Sequence, residues 1–271
     1  MTKYRVNKTK HVDQTKTVSF DFDGKSYHGF EGDTLASALL SNGVHLVGRS
    51  FKYHRPRGIM SCGSEEPNAI CQINEDTDLT EPNVRATEIE LYEGLKASSQ
   101  NCWPSVNFDI GGINNFISSF IPAGFYYKTF MWPKSFWKKI YEPLIRWSAG
   151  LGKSPTKPDP ELYDHKHVHC DVLIIGGGIS GIIASKIAAK NNLKTILIED
   201  KNILGGSTIF QKNENYKIND KYSGLWVDEE IAELKKLDNL TIKTRTSLAA
   251  YHSYNYLLAK ENISDHLPLD K

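Results

Sequence analysis

Cysteine is scarce and scattered in this chain of 271 residues. Cys62, Cys71, Cys102 and Cys170 form no C-x-x-C pair and no disulfide framework, so a reducing compartment, the cytoplasm, is the default expectation. A surplus of one charge is missing too: the formal net charge is +1, which gives no electrostatic reason to expect nucleic acid as a partner. No run reaches the roughly 18 apolar residues of a membrane span, so no membrane is expected either. The N-terminus, MTKYRVNKTKHVDQTKTV, is lysine-rich without an apolar core and does not read as a secretory signal. There is no internal repeat and no low-complexity tract. Nor does any stretch supply a recognisable catalytic acid, base or nucleophile.

What is present is concentrated in CDVLIIGGGISGIIASKIAAKNNLKTILIED, residues 170–200. Val172 to Ile175 reads as a buried parallel strand. A glycine loop follows, and Ile182 to Lys190 reads as a helix with Ile183, Ile187 and Ala188 on one side. A second apolar strand, Thr195 to Ile198, ends at Glu199. This is the order a dinucleotide-binding βαβ unit requires. Gly176 turns the chain off the strand, Gly178 lets a pyrophosphate approach the backbone, and Gly181 lets the helix pack close to the sheet. The free N–H groups at the helix start and the helix dipole then favour phosphate. Glu199, with Asp200 beside it, stands where a carboxylate accepts hydrogen bonds from a ribose, and it would repel the 2′-phosphate of NADP. Gly205 and Gly206 bring a loop back towards the dinucleotide. The motif does not separate FAD from NAD.

Ahead of this unit, VSFDFDGKSYHGF reads as a hairpin turning at Asp23-Gly24. EGDTLASALLSNG reads as a short helix capped by Asp33 or Thr34 and ended by Gly43. With Val84 to Gly94 as its last strand, this is a ubiquitin-like or ferredoxin-like module. Between them, Arg49, Lys52, Arg55 and Arg57 make a cationic stretch, either an anion site or a loop pinned by salt bridges to Glu65 and Glu66. A plant-type iron–sulfur loop needs C-x4-C-x2-C, whereas Cys62 and Cys71 stand alone, so the module is expected to be clusterless. Phe116 to Trp147 is crowded with aromatics, among them Phe125, Tyr126 and Tyr127, and broken by Pro122, Pro133 and Pro143. It reads as a connector or a subunit interface, with a short helix from Phe136 to Trp147. His165, His167 and His169 lead straight into the nucleotide strand and are not expected to hold metal. Asp228 to Leu237 reads as a helix, and strands follow it with a turn near Ser253.

Several long segments resemble the alpha subunit of heterotetrameric sarcosine oxidase: GDTLASALLSNGVHLVGRSFKYHRPRGI, ELYEGLKASSQNCWPSVNFDIGGINN, IPAGFYYKTFMWPKSFWKKIYEPLIRWSAGLG and HCDVLIIGGGISG. The likeness runs from about residue 16 to the end of the chain. It implies a complex that oxidatively demethylates sarcosine to glycine, giving hydrogen peroxide and either formaldehyde or methylene-tetrahydrofolate. It implies NAD at Gly176, Gly178, Gly181, Glu199, Asp200, Gly205 and Gly206. FMN would lie at the interface with a beta subunit that also carries FAD. Gamma and delta subunits complete the assembly, and sarcosine and tetrahydrofolate bind elsewhere in it. Because the chain stops near residue 271, the resemblance implies a fragment that is inactive by itself. Two other readings stand beside it: the alpha subunit of a dye-linked amino-acid or opine dehydrogenase holding FAD here, and a non-catalytic nucleotide-binding scaffold.

The expected architecture is therefore α/β. A flexible arm (1–15) precedes a ferredoxin-like module of 2Fe-2S type without its cluster (16–97). An aromatic-rich connector (98–168) leads to an incomplete Rossmann-like dinucleotide-binding domain (169–271).

Overall fold

A computed structural model describes residues 4–5, 10–75, 77–120, 124, 128, 130–209 and 216–263. Phe125, Tyr126, Tyr127 and Pro122 of the aromatic stretch lie outside the described residues, as does the chain after 263. The chain divides into two compact units, the first within Met1–Leu162 and the second Tyr163–Ser264.

The first unit is built on a five-stranded sheet in the order β2 (Lys25–Glu31), β1 (Asp13–Phe22), β7 (Leu95–Ser99), β5 (Ile70–Ile73), β6 (Glu81–Arg85), and two short strands, β3 (Gly48–Arg49) and β4 (Pro56–Arg57), pair apart from it. β1 (Asp13–Phe22) turns at Asp23-Gly24, both with positive φ, into β2 (Lys25–Glu31). A two-residue turn of this kind matches the twist of the strands it joins. Phe20 and Phe22 alternate inward beneath a helix, Leu35–Ser41, whose Leu35, Ala38 and Leu39 are buried. Thr34 and Ser37 close a reciprocal capping box at its start. β7 runs parallel to β1, while β5 runs antiparallel to β7 and β6.

Two expectations are corrected here. The last strand is Leu95–Ser99, not Val84 to Gly94. Residues 86–94 turn across the helix start instead, with Leu35 N bonded to Ile89 O and Leu91 N to Asp33 O. The stretch read as a solvated arm also takes part in the fold. β1 begins at Asp13, and the Arg5 guanidinium donates to both carboxylate oxygens of Asp33 and to Ser41 Oγ. The cause is Asp33, whose side chain is 1% exposed. A carboxylate at that depth is costly without a counter-charge.

Beyond β7, the aromatic stretch carries short 3-10 turns, a π turn at Trp137–Tyr141 and a helix, Glu142–Ser148. The short helix expected around Phe136 to Trp147 is thus present as one helical run, wound as a π turn from Trp137 and as an α-helix from Glu142, with Pro143 in the first turn of the latter. Phe116 is 87% exposed and Trp132 82%.

The second unit holds a three-stranded parallel sheet in the order β12 (Leu240–Lys243), β9 (Thr195–Ile198), β8 (Val172–Ile175), and a separate short pair, β10 (Lys217–Ile218) with β11 (Lys221–Tyr222). The Ile179–Lys190 helix joins β8 to β9 and begins three residues before the expected start. It packs through Ile182, Ser185, Ala188 and Ala189, so Ile183 and Ile187 face outward rather than into the core. Small residues on the packed face let the helix approach the sheet. A second helix, Ser223–Leu234, buries Trp226, Val227 and Leu234 against Ile182 and Leu197. It starts and ends earlier than the expected 228–237. β13 (Thr246–His252) and β14 (Tyr256–Glu261) form a hairpin turning at Ser253–Asn255.

Candidate functional site

β8 ends in the glycine loop. Gly176 donates its N–H to Ile198 O at 2.8 Å and sits at φ +95°, a left-handed conformation that only glycine adopts at little cost. Gly177 donates to the Glu199 carboxylate and accepts from Gly205 N at 2.8 Å. Gly178 is the extended N-cap of the Ile179–Lys190 helix and provides no side-chain cap. The N–H groups of the first helical turn are therefore left to an outside acceptor.

The glycines are needed for different reasons. A methyl on Gly181 would lie 1.9 Å from Gly176 O, a clash of backbone against helix. A methyl on Gly178 would meet nothing within 4 Å. That open space is where a pyrophosphate would approach. Gly206, at φ +55°, returns close enough that a methyl there would stand 3.0 Å from Gly178 Cα. The structure thus brings Gly176, Gly178, Gly181, Glu199, Gly205 and Gly206 together at the C-terminal ends of β8 and β9, the edge where open α/β sheets bind ligands.

Glu199 is 6% exposed. One carboxylate oxygen accepts from Gly177 N and the other from Lys201 N at 3.1 Å. Its backbone also joins β12 to β13, accepting from Thr246 N and donating to Lys243 O. Burial first, and the neighbouring Asp200 carboxyl second, push its pKa up to about 7. Asp200 lines a cavity of about 280 Å³ with Ile175, Gly176, Ile198, Thr246 and Leu248. Gly177 as an anchor for Glu199, and the Thr246–Leu248 wall, were missed from sequence. The triple glycine was the only available sign of the first, and nothing in the sequence signalled the second.

The first unit has its own cavity, about 310 Å³, lined by Arg49, Lys52, Arg57, Asn68 and Asn101 among others and, among the described residues, by no carboxylate. Arg49 donates to the carbonyls of Val106 and His54. Arg55 bonds Asn115 and lies over the Tyr53 ring. The expected pinning of this stretch by Glu66 does not occur, because that carboxylate is held by four backbone N–H groups.

His54 Nδ1 lies 2.7 Å from the buried Asp109 carboxylate. Asp109 also accepts from Trp103 N and Gly111 N. This pair holds the loop after β7. His165, His167 and His169 are exposed, and no three metal-ligating side chains cluster among the described residues. No helix among the described residues is long and apolar enough to cross a membrane.

Residues 15–102 match the family of 2Fe-2S iron-sulfur cluster binding domains, and residues 171–265 match the FAD dependent oxidoreductases. The alpha subunit of sarcosine oxidase from Rhizobium meliloti (strain 1021) is 45% identical over 98% of this chain and 27% of its own length. That of Corynebacterium sp. (strain P-1) is 29% identical over 94% of this chain and 22% of its own length. The chain thus spans about a quarter of these relatives. The crystal structure of L-proline dehydrogenase from P. horikoshii shares the fold, with a TM-score of 0.55, 20% identity, and coverage of 96% of this chain and 39% of that one.

The cysteines of the first unit do not fit an iron–sulfur cluster. Cys71 is buried in the core, and burial, with Asp23 second, pushes its thiol up to about 12. Cys102 is also raised by burial and bonds Ser99 Oγ. Cluster ligands must be thiolates set at a fixed spacing.

Proposed function

We propose, from the premise that this chain is a homologue of sarcosine oxidase alpha subunits and matches their N-terminal part, that it is the nucleotide-holding part of a multi-subunit oxidoreductase acting on sarcosine. The reaction is the oxidative demethylation of sarcosine to glycine, with oxygen reduced to hydrogen peroxide and the one-carbon unit released as formaldehyde or passed to tetrahydrofolate. No described residue of this chain is assigned the role of catalytic acid or base in it.

The observation that carries the reading is the open backbone face at Gly178, next to an uncapped helix start and a buried carboxylate tied beneath the loop. These residues bind and orient a dinucleotide. The N–H groups of the first turn receive the pyrophosphate, Gly205 and Gly206 close over it, and Glu199 and Asp200 take the adenosine end. We assign NAD to this site, with FAD as the alternative. A bound dinucleotide supplies hydride chemistry only where a substrate reaches its ring, and the sarcosine site belongs to the beta subunit in this reading. The cavity beside Arg49, Lys52 and Arg57 suits a phosphate by its charge, and we assign it to the FMN at the beta-subunit interface.

The test is to purify the chain in its native complex with co-expressed partners, denature it and identify the released nucleotides by mass. NAD together with FAD, with FMN remaining covalently attached, is the expected result. FAD without NAD turns the reading to a dye-linked dehydrogenase. A complex that releases no dinucleotide refutes an occupied site at Gly176–Gly181.

A further inference from the structure

The first unit matches a family defined by a 2Fe-2S cluster, yet Cys62 and Cys71 stand nine positions apart, with Cys71 buried in the core, and do not have the spacing of a cluster loop. Whatever shapes the loop ahead of β5 must therefore come from the chain itself. That loop closes around one side chain. Glu66 is 1% exposed. Its Oε2 accepts from Met60 N at 2.8 Å and Ser61 N at 2.6 Å, and its Oε1 from Asn68 N at 2.8 Å and Ala69 N at 3.1 Å. The four donors come from both limbs of the loop, two before Glu66 and two after. Cys62 and Cys71, the nearest approach to a cluster spacing, bracket it.

Concave sets of backbone N–H groups are anion sites, used by proteins for phosphates and for iron–sulfur centres. Four converging donors around one carboxylate have the form of such a site with its anion supplied internally. The surroundings keep it closed. Thr87 Oγ1 bonds Gly63 O, Ala86 N bonds Ala69 O, and Arg85 Nε reaches the Glu66 carbonyl. Arg85's guanidinium pairs with Glu88, and among the described residues the hydrogen bonds to the Glu66 carboxylate come from backbone N–H groups.

We propose that residues 60–69 form an anion-binding nest whose built-in occupant is Glu66, so that this module is shaped by a carboxylate where its family uses a metal–sulfide anion. Glu66 is a positioning residue: its carboxylate draws the two limbs of the loop together. The shift of the group agrees with its setting. Burial pushes the Glu66 carboxyl up, but the N–H groups of Ser61, Asn68, Met60 and Ala69 outweigh it and hold it below the ordinary value.

Hydrogen exchange on the full chain tests this, read at the amides of Met60, Ser61, Asn68 and Ala69. In Glu66→Ala the protection of these four amides falls roughly ten- to a hundredfold, the range expected for losing hydrogen bonds to a charged acceptor. Amides of β1 and β2 keep theirs. Added sodium formate restores protection in the variant, whereas sodium chloride at equal ionic strength does not. Formate has no effect on the unsubstituted chain. Unchanged protection in Glu66→Ala overturns the proposal, as does a loss that formate fails to restore. Should the variant not fold, the unsubstituted chain decides: anaerobic reconstitution with iron and sulfide is expected to leave no stoichiometric cluster, and uptake of one overturns the proposal.

Discussion

Gly178 and Glu199 show how single residues divide the work of the nucleotide loop. Gly178 has ordinary extended dihedrals and open space around it. Gly178→Ala is therefore expected to change stability by no more than about 1 kcal/mol. If a dinucleotide lies against this backbone, the same methyl should weaken its binding roughly tenfold or more, read by calorimetry on the purified chain. Equal affinity in the variant would mean that the phosphates lie elsewhere. Gly181→Ala is the contrast, since its methyl meets backbone at 1.9 Å and the fold itself should suffer.

Glu199 predicts a pH dependence. Its folded pKa, about 7, stands above the ordinary 4.5. Between those values the folded chain holds a proton that the unfolded chain has released. Stability should therefore fall as pH rises through that window and level off above it. Urea midpoints of the second unit between pH 5 and pH 8 check the slope, and Glu199→Gln should flatten it. A midpoint that rises with pH would contradict the assignment. The glycine spacing and the acid were legible because each residue type is dictated by local backbone. The strand pairing around Glu199 was not, because its backbone bonds go to Lys243 and Thr246, more than forty positions on.

Elements with local causes were equally readable. The Asp23-Gly24 hairpin, the Leu35–Ser41 helix with its cap, and the β8–helix–β9 order follow from turn chemistry, capping and periodicity. Elements fixed by distant partners were not. β7 was misplaced because its parallel pairing with β1 joins residues some seventy-five apart, and nothing in KASS marks a strand. The anchoring of the N-terminus was missed because Arg5 pairs with Asp33, 28 positions on, and one cation in a lysine-rich stretch looks like any other. The pair is nearly dry, with side chains 11% and 1% exposed. Asp33 also accepts from Phe30 N and Ser37 Oγ, so it ties the hairpin to the helix. Arg5→Ala leaves that carboxylate buried without its counter-charge and is expected to cost about 3 kcal/mol in urea unfolding. Thr34→Ala, which removes only the cap, should cost about 1 kcal/mol. A smaller loss for Arg5 than for Thr34 would show that the N-terminal stretch does not anchor the sheet.

At the scale of the whole molecule, the two units have separate cores. One is centred on Phe20, Leu35, Leu39 and Leu95, the other on Ile182, Leu197, Trp226 and Leu234. Residues 154–169 join them with no helix or strand and are exposed almost throughout. A segment with no backbone ladder and no burial opens to a protease without unfolding either side. Brief trypsin treatment should therefore cut after Lys166. Lys157 should resist because Pro158 follows it, and Lys153 is tied to Glu75. The fragment beginning at His167 carries the whole glycine loop and should retain whatever nucleotide the intact chain holds. The N-terminal fragment retains the Glu66 nest and the exposed aromatics of 103–147, including Phe116 and Trp132. Patches of that kind on a single chain mark contact surfaces. If each unit folds on its own core, the melting curve of the cut chain should superimpose on that of the intact one. A single transition that collapses on cutting would instead show that the two cores depend on each other, and that nucleotide binding and the ferredoxin-like module are one cooperative structure.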